Sequence, residues 1–317
     1  MQITILDAYT MTHGRLSLDA FRELGEVRAF DRTPAELTIQ RAAGSEIVLT
    51  NKTIIDGPVM DQLPALKFIS VMATGYNAVD IEAARQRGII VSNVRGYSTF
   101  SVAQHVFALL FAVTNKIAEH NSHVKSGGWS ANPDWSYTLG PTTELQGKTL
   151  GIYGLGKIGN KVADIGLALG MRVLAHHKHP ERDARPGVSF VDFDELLKNS
   201  DVLSLHAPLS RQNQGIINRR GLALMKPDAI LINTGRGGLL VEQDLVEALR
   251  SKTIAAACLD VMEQEPPPAG HPLFSLDNCI ITPHNAWVTK EARQRLLNES
   301  VENVRAFIKG QPRNVVS

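Results

Sequence analysis

The sequence predicts an α/β protein built from two doubly wound parallel sheets, and three observations support this fold class. Short apolar runs without polar alternation recur along the chain, separated by amphipathic segments, a pattern typical of parallel strands covered by helices on both faces. A glycine-rich motif follows one of these runs. The length of 317 residues exceeds what one hydrophobic core usually organises, so two domains are expected.

The first third of the chain contains four predicted strands. Their sequences are ITILD (3–7), EIVLT (46–50), FISVMA (68–73) and GIIVSN (88–93). Segments 34–43 and 80–88 between them have helical character. Because apolar residues fill each run continuously, both faces of this sheet are expected to be buried.

A second series of six predicted strands begins near residue 149. Their sequences are TLGIYG (149–154), MRVLAH (171–176), DVLSLH (201–206), AILINT (229–234), IAAACLD (254–260) and CIITP (279–283). Six is the number of strands in a complete dinucleotide-binding sheet. Helical segments at 98–120 and 290–310 flank the series, and the second is expected to pack back on the first domain.

The composition argues against several classes of function. Lys and Arg number 33 against 32 Asp and Glu, a net charge of +1, so no overall field attracts nucleic acid or an anionic membrane. The longest apolar run, FALLFAV (107–113), is far shorter than a membrane span. Cys258 and Cys279 lack the spacing of a metal site or redox pair. We expect a soluble cytoplasmic protein that acts on a small molecule.

Gly154, Gly156 and Gly159 form a G-x-G-x-x-G motif between a predicted strand and a predicted helix. In that context the motif indicates a dinucleotide site, because the glycines allow a tight turn, a close approach of pyrophosphate and close helix packing. The amides that open the helix, including those of Lys157 and Ile158, are expected to hold the pyrophosphate.

The segment LAHHKHPER (174–182) lies about twenty residues beyond this motif, where a dinucleotide-binding chain normally places an acidic residue. That residue binds the ribose hydroxyls of NAD and repels a 2′-phosphate. This chain has His177 and Lys178 there, and no carboxylate before Glu181. We therefore expect both side chains to contact the cofactor, with NADP slightly favoured over NAD.

Two alternatives stay open for this basic segment. Its side chains could point into solvent while the protein takes NAD without an acidic anchor. A zinc site is the other alternative, but the histidines lack a preformed tetrahedral set and no cysteine lies nearby. No metal site is expected.

Polar residues follow three later strands of the second series. Arg236 stands between glycines after one strand, Asp260 and Glu265 follow the next, and His284 follows the last. Ligands of open parallel sheets bind beyond the carboxyl ends of the strands, so these side chains are expected to converge there.

Several separate motifs occur together and in order along the chain. They include VMATGYNAVDIEAA, LGIYGLGKIGNKVA, ALMKPDAILINTGRG, LDVMEQEPPP and ITPHNAW. With them the chain resembles the D-isomer-specific 2-hydroxyacid dehydrogenases, nearest to the glycerate dehydrogenase (hydroxypyruvate reductase) branch, over nearly its whole length.

The resemblance implies a particular domain organisation. A discontinuous, flavodoxin-like substrate domain would comprise residues 1–98 and 289–317, with a Rossmann coenzyme domain, residues 99–288, inserted in it. It also implies a homodimer, with the loop around Trp129 and Trp135 near the interface.

The resemblance also implies roles for individual residues. Arg236 would bind the substrate carboxylate, while His284 with Glu265 would form the acid–base pair. Asp260 would contact the nicotinamide carboxamide, and Gly75 would offer backbone N–H groups to the substrate. Further implied contacts are Thr74 and Tyr76 with the substrate and Thr234 with the cofactor.

General chemistry supports these roles. Reducing a 2-keto acid requires a proton at the carbonyl oxygen, which a histidine oriented by a carboxylate supplies. An arginine binds a carboxylate through two parallel hydrogen bonds.

Glu263 competes with Glu265 for the carboxylate role, although Glu265 matches the spacing of the family. Asn285 departs from the apolar residue that is usual after the histidine, and its polarity would suit a hydroxylated substrate.

The expected function is an oxidoreductase that reduces hydroxypyruvate or glyoxylate with NAD(P)H. Action on another small 2-keto acid is one alternative. Another is a dinucleotide-sensing regulatory protein, like the corepressors that resemble this fold. A lost active site or an added partner-binding region would indicate a regulator, whereas Arg236, Glu265 and His284 are all present.

Overall fold

The computed structural model describes all residues from Met1 to Ser317. They divide into two compact units, one comprising Met1–Ser98 with Val288–Ser317 (unit 1) and the other Thr99–Trp287 (unit 2). The assignment of these units as substrate and coenzyme domains is a prediction.

Twelve strands and twelve α-helices make up the two units. The strands are β1 (Gln2–Ile5), β2 (Glu26–Ala29), β3 (Ile47–Thr50), β4 (Phe68–Val71), β5 (Ile90–Ser92), β6 (Thr149–Tyr153), β7 (Arg172–His176), β8 (Val188–Phe190), β9 (Val202–Leu205), β10 (Ile230–Asn233), β11 (Ala256–Leu259) and β12 (Cys279–Ile281). The helices are α1 (Ala8–Thr12), α2 (Asp19–Arg22), α3 (Thr38–Ala42), α4 (Gly57–Asp61), α5 (Ile81–Gln86), α6 (Thr99–Asn115), α7 (Ile117–Lys125), α8 (Lys157–Ala168), α9 (Phe193–Asn199), α10 (Arg219–Leu224), α11 (Glu242–Arg250) and α12 (Lys290–Ile308).

Unit 1 is organised around a parallel sheet of five strands in the order β2-β1-β3-β4-β5. This is the flavodoxin-like order, which reverses between β1 and β3. Both faces of β3 and β4 are buried, as continuous apolar runs predict. The sequence prediction of four strands missed β2, because this edge strand is partly exposed and carries charged residues.

The late helix α12 belongs to unit 1, where it packs on β4. The rings of Phe68 and Phe307 stack with centroids 4.5 Å apart. The buried Arg293 donates to the carbonyl oxygens of Met11 and Thr12, which satisfies a charge that would be costly to bury alone. Unit 1 is therefore closed by a helix encoded after the whole of unit 2.

Unit 2 contains a parallel sheet of seven strands in the order β12-β11-β10-β9-β6-β7-β8. Its strand order reverses between β6 and β9, the position at which doubly wound sheets bind ligands. The two parallel sheets confirm the predicted fold class. The prediction of six strands in this series was wrong by one, because β8 is a partly exposed edge strand of three residues without an apolar run.

The helix predicted over 98–120 is interrupted. Lys116 has a φ of 52°, in the left-handed region that ends a regular helix, so α6 and α7 are separate. No single helix has the length and apolar content needed to cross a membrane; α6 and α7 satisfy those criteria only as a pair, bent by 54° at the break.

Candidate active site

The predicted catalytic residues lie at the carboxyl edge of the unit 2 sheet. Strands β10, β11 and β12 are neighbours and run parallel. Arg236 follows β10, Asp260 follows β11 and His284 follows β12. Their parallel direction brings the three strand ends to one edge, as expected for a ligand site.

His284 and Glu265 form a direct pair. The Nδ1 atom of His284 lies 2.6 Å from Oε2 of Glu265, and Oε1 of Glu265 accepts a hydrogen bond of 3.1 Å from the Met262 N–H. Both side chains are partly exposed, at 28% and 31%. With Nδ1 oriented by the carboxylate, Nε2 is the ring atom left to exchange a proton with a substrate.

Asp260 fixes the turn that carries His284. Its carboxylate is 1% exposed and accepts hydrogen bonds from Thr282 Oγ1 at 2.6 Å, Asn285 N at 2.9 Å and Ala286 N at 2.9 Å. His284 itself has a φ of 49°, a conformation that is sparsely populated outside glycine and needs support from its surroundings. In addition to the cofactor contact that the resemblance implies, Asp260 therefore positions the histidine.

His105, on α6, extends this network. Its Nε2 atom lies 3.0 Å from Thr282 Oγ1 and 3.6 Å from Asp260 Oδ1. The contact joins α6 to the end of β12 across 177 positions of sequence. No local pattern marks such a contact, so sequence spacing alone could not identify it.

The loop that follows β10 is held by a buried asparagine. Oδ1 of Asn233 accepts from the Gly235 N–H at 3.0 Å, and its Nδ2 donates to the Arg236 carbonyl oxygen at 2.8 Å. Nη1 of Arg236 donates to the Gly235 carbonyl oxygen at 2.7 Å, and the side chain is half-buried. The guanidinium is thus attached to a fixed backbone and retains donors for a ligand.

Two buried polar atoms near this edge have no hydrogen-bond partner, Oγ1 of Thr234 and Oδ1 of Asn285. An unsatisfied buried polar group costs about 1–3 kcal/mol, so such groups in a native protein call for an explanation. Thr234 was predicted to contact the cofactor. A bound ligand that supplies the missing partners would remove this cost.

The glycine motif forms the turn from β6 into α8. Gly154 has a φ of 96°. A Cβ atom at Gly159 would lie 2.3 Å from the Gly154 carbonyl oxygen, whereas one at Gly156 would meet nothing within 4 Å. The turn is therefore closely packed at Gly159, whereas the space beside Gly156 is open and a Cβ atom there would fill it.

The start of α8 completes this cradle. Lys157 and Ile158 lie in its first turn, whose N–H groups have no partner within the helix and attract anions. This geometry fits the pyrophosphate of a dinucleotide, with no side chain at Gly156 to obstruct it.

The structure changes the interpretation of His177. Its Nδ1 accepts a hydrogen bond of 3.1 Å from the Leu155 N–H in the glycine turn, and its Nε2 lies 2.6 Å from Asp183 Oδ2. Both ring nitrogens are therefore occupied, while Lys178 is exposed. The turn after β7 brings the carboxylate of Asp183 back to this strand end, although no acidic residue stands on the strand itself.

The three predicted substrate-binding residues of unit 1 lie in the loop after β4. Oγ1 of Thr74 donates to the Val94 carbonyl oxygen at 2.8 Å, and Nδ2 of Asn93 donates to the Thr74 carbonyl oxygen at 2.7 Å. Gly75 follows, and the side chain of Tyr76 is exposed. The loop is thus anchored by Thr74 and presents its next two residues outward.

No group of three or more histidine, cysteine, aspartate or glutamate side chains is arranged to hold a metal ion. Cys258 and Cys279 are free thiols. Burial raises the pKa of both to about 12, so neither is a nucleophile near neutral pH.

His206, at the carboxyl end of β9, is expected to make the stability of the protein depend on pH. Burial lowers the pKa of its imidazole to about 3, whereas an unfolded histidine titrates near ~6.5. Between these values the unfolded chain binds more protons, so the free energy of unfolding falls as pH decreases. From pH 6.5 to 5 we expect this histidine to account for a loss of up to about 2 kcal/mol, measured by urea denaturation.

The matched variant is His206→Gln, which retains a group able to bond to Ser204 Oγ, 2.8 Å from His206 Nε2, but does not titrate. Its stability should depend less on pH over this interval. If the free energy of unfolding fell equally with pH in both proteins, His206 would not be the source of the pH dependence.

Comparisons with known proteins agree with this geometry. Residues 107–286 match the family model described as D-isomer specific 2-hydroxyacid dehydrogenase, NAD binding domain. The matched segment contains the glycine turn and the residues that follow β10, β11 and β12.

Similar proteins match the chain over most or all of its length. A hydroxypyruvate reductase of Blautia hydrogenotrophica is 44% identical, with 100% of each chain covered. A glycerate dehydrogenase of Methylorubrum extorquens is 42% identical over 90% of this chain and 89% of its own length. Among solved structures, an acyclic imino acid reductase in complex with NADPH and D-Arg superposes with a TM-score of 0.88 at 33% identity, over 100% of both chains.

Proposed function

Because the chain belongs to the D-isomer-specific 2-hydroxyacid dehydrogenase family, we propose that it reduces hydroxypyruvate or glyoxylate, forming D-glycerate or glycolate. It is an oxidoreductase that uses a nicotinamide dinucleotide. The observation that carries the proposal is the His284–Glu265 pair, whose 2.6 Å contact orients an acid–base group at the ligand-binding edge of the sheet.

The proposed chemistry assigns proton transfer to His284. The bound dinucleotide supplies the hydride. Nε2 of His284 donates a proton to the substrate carbonyl oxygen, while Glu265 fixes the ring through Nδ1 and stabilises it when both nitrogens are protonated. The hydrogen bonds of Asp260 to the turn hold the histidine in this orientation.

Arg236 is proposed to bind the substrate carboxylate. Its guanidinium provides the forked donor geometry that carboxylates accept, and the Asn233 contacts fix the loop from which it extends. Backbone N–H groups of Gly75 and Tyr76, in a loop that Thr74 anchors, are proposed to contact the substrate. Fixing the keto acid in one orientation accounts for D-specificity, since hydride then reaches only one face.

The relatives named hydroxypyruvate reductase and glycerate dehydrogenase support a substrate with a hydroxyl group. Asn285 supports it independently, because its buried Oδ1 lacks a donor, and the C3 hydroxyl of hydroxypyruvate is one. Glyoxylate has no such group. We therefore propose hydroxypyruvate as the preferred substrate of the two.

Use of NADP as well as NAD is also proposed, with NADP slightly favoured. The exposed Lys178 and Arg182 supply positive charge beside His177, at the strand end where a ribose is expected. A structural relative with 33% identity binds NADPH.

We further propose a homodimer in the cytoplasm. The segment between α7 and β6 exposes Trp129 at 52% and Trp135 at 87%, and α7 has no buried residue. Large aromatic side chains of this kind are enriched in interfaces.

Initial rates test the function. We expect kcat/KM for hydroxypyruvate to exceed that for glyoxylate, with turnover by both NADPH and NADH and with D-glycerate as the chiral product. Asn285→Ala should lower kcat/KM for hydroxypyruvate by about tenfold, because one hydrogen bond is lost, and leave that for glyoxylate within about twofold.

Two outcomes would contradict this proposal. Equal losses for both substrates in Asn285→Ala would exclude the hydroxyl contact. Tight dinucleotide binding without reduction of any 2-keto acid would instead support a dinucleotide-sensing regulator.

A further inference from the structure

A carboxylate occupies the end of β7 although the strand itself ends in histidines. Oδ2 of Asp183 lies 2.6 Å from Nε2 of His177. Arg182 donates to both oxygens of the same carboxylate, from Nε at 2.9 Å and from Nη2 at 2.6 Å. The Arg182 guanidinium, with His177, holds the pKa of Asp183 well below its usual range, so the group is an anion at any working pH.

The position of this anion relates it to the dinucleotide. His177 bonds to the Leu155 N–H of the glycine turn through its other nitrogen, so Asp183 lies one side chain away from the proposed pyrophosphate cradle. A cavity of about 500 Å³ opens beside His177, lined by His176, Pro180 and Phe190 and by the acidic Asp192 and Glu195. Its size suits a nucleoside, and its carboxylates disfavour a phosphate within it.

Arg182 and His177 both bind the carboxylate of Asp183, and Arg182 is not among the residues that line the cavity. Thus a histidine nitrogen and a guanidinium fork converge on one anion, which is the arrangement that binds phosphate. We propose that Asp183 is a built-in substitute for the 2′-phosphate of NADP: it occupies the place between His177 and Arg182 that the phosphate takes when NADP binds. This inference rests on the proposed use of NADP.

Asp183 in this place acts differently toward the two cofactors. With NAD, Asp183 stays between His177 and Arg182 and its oxygens remain available to a ribose hydroxyl. With NADP it must leave, because two anions cannot share the site, and the phosphate dianion then takes both donors. Asp183 therefore weakens NADP binding by the free energy of its own displacement and allows both cofactors to be used.

Nucleotide binding tests this without turnover. The probes are 2′,5′-ADP and 5′-AMP, which differ only in the 2′-phosphate, and their Kd values are measured by isothermal titration calorimetry. In Asp183→Asn, which keeps the size of the side chain and an acceptor for His177, 2′,5′-ADP should bind about fivefold more tightly, as expected for an exposed ion pair that no longer competes. The Kd of 5′-AMP should stay the same or rise.

Glu181→Gln is the matched control. Glu181 carries the same charge two positions away, is exposed and has no hydrogen-bond or ion-pair partner, so its removal changes the local field without vacating the site. We expect less than a twofold change for either probe. Arg182→Gln should weaken 2′,5′-ADP selectively, because a donor of the phosphate site is lost.

Four results would overturn the inference. They are equal changes for both probes in Asp183→Asn, weaker 2′,5′-ADP binding in that variant, an equal gain in Glu181→Gln, and failure of 2′,5′-ADP to bind any variant. These results are separate from the proposed activity. An enzyme that shows the predicted binding but reduces no 2-keto acid would contradict the proposed function and leave the role of Asp183 intact.

Discussion

Replacing His284 by asparagine is expected to lower kcat for keto-acid reduction by a factor of about 10² to 10⁴, the usual contribution of a positioned general acid. Asparagine is suitable because it tolerates the left-handed backbone conformation better than other residues do; His284 has a φ of 49°. The variant retains the hydrogen bonds from Asn285 N and Ala286 N to Asp260, so the turn should persist. Steady-state kinetics with hydroxypyruvate and either cofactor would measure the loss.

Two measurements separate chemistry from damage to the fold. Dinucleotide affinity, measured by fluorescence titration, should stay within about twofold, because the residue acts on the proton and not on cofactor binding. Glu265→Gln should reduce kcat less than His284→Asn does, since it removes the orienting charge but leaves the ring. If His284→Asn retained more than a tenth of native kcat, His284 could not be the general acid.

Replacing Arg236 by lysine should lower kcat/KM for the keto acid by about 10²-fold, although the positive charge is kept. Lysine offers a single ammonium group and cannot form the two parallel hydrogen bonds that align a carboxylate. A substrate held less accurately reacts more slowly even when it still binds. The effect should appear in both kcat and KM for the keto acid, with cofactor affinity unchanged.

Arg250→Lys provides the matched control. Arg250 lies in the last turn of α11 in the same unit and is exposed, so this exchange should leave all kinetic constants within about twofold. A loss that appeared only in KM for the cofactor would place Arg236 at the dinucleotide and not at the substrate.

The strands that the sequence predicted and those that it missed differ in burial. Interior strands such as β4 and β10 are buried on both faces and appear in the sequence as uninterrupted apolar runs. The edge strands β2 and β8 are partly exposed and lack this signal. The break at Lys116 was missed for a different reason, because no glycine or proline marks it in the sequence.

The site shows the same division between local and distant information. The glycine turn is a local motif, and its context predicted the strand and helix around it. Two contacts that hold the turn of His284 join distant positions: the Asp260–Asn285 hydrogen bond spans 25 positions and the His105–Thr282 contact spans 177. Both therefore depend on the completed sheet. The contact between His177 and Asp183 was missed although only six positions separate them. The expected carboxylate was looked for on the strand, whereas Asp183 lies in the turn that follows it.

The stacking of Phe68 on Phe307 has a consequence for co-translational folding. Unit 2 has all of its residues once position 287 has emerged, whereas unit 1 lacks α12 until residues 290–308 have also been translated. At about 5–20 residues per second, the nascent strands of unit 1 wait on the order of ten to forty seconds for that helix. During this interval the apolar surface of β4 that α12 covers is open to aggregation. The strands of unit 1 are thus translated before unit 2, but the helix that covers β4 is translated after it.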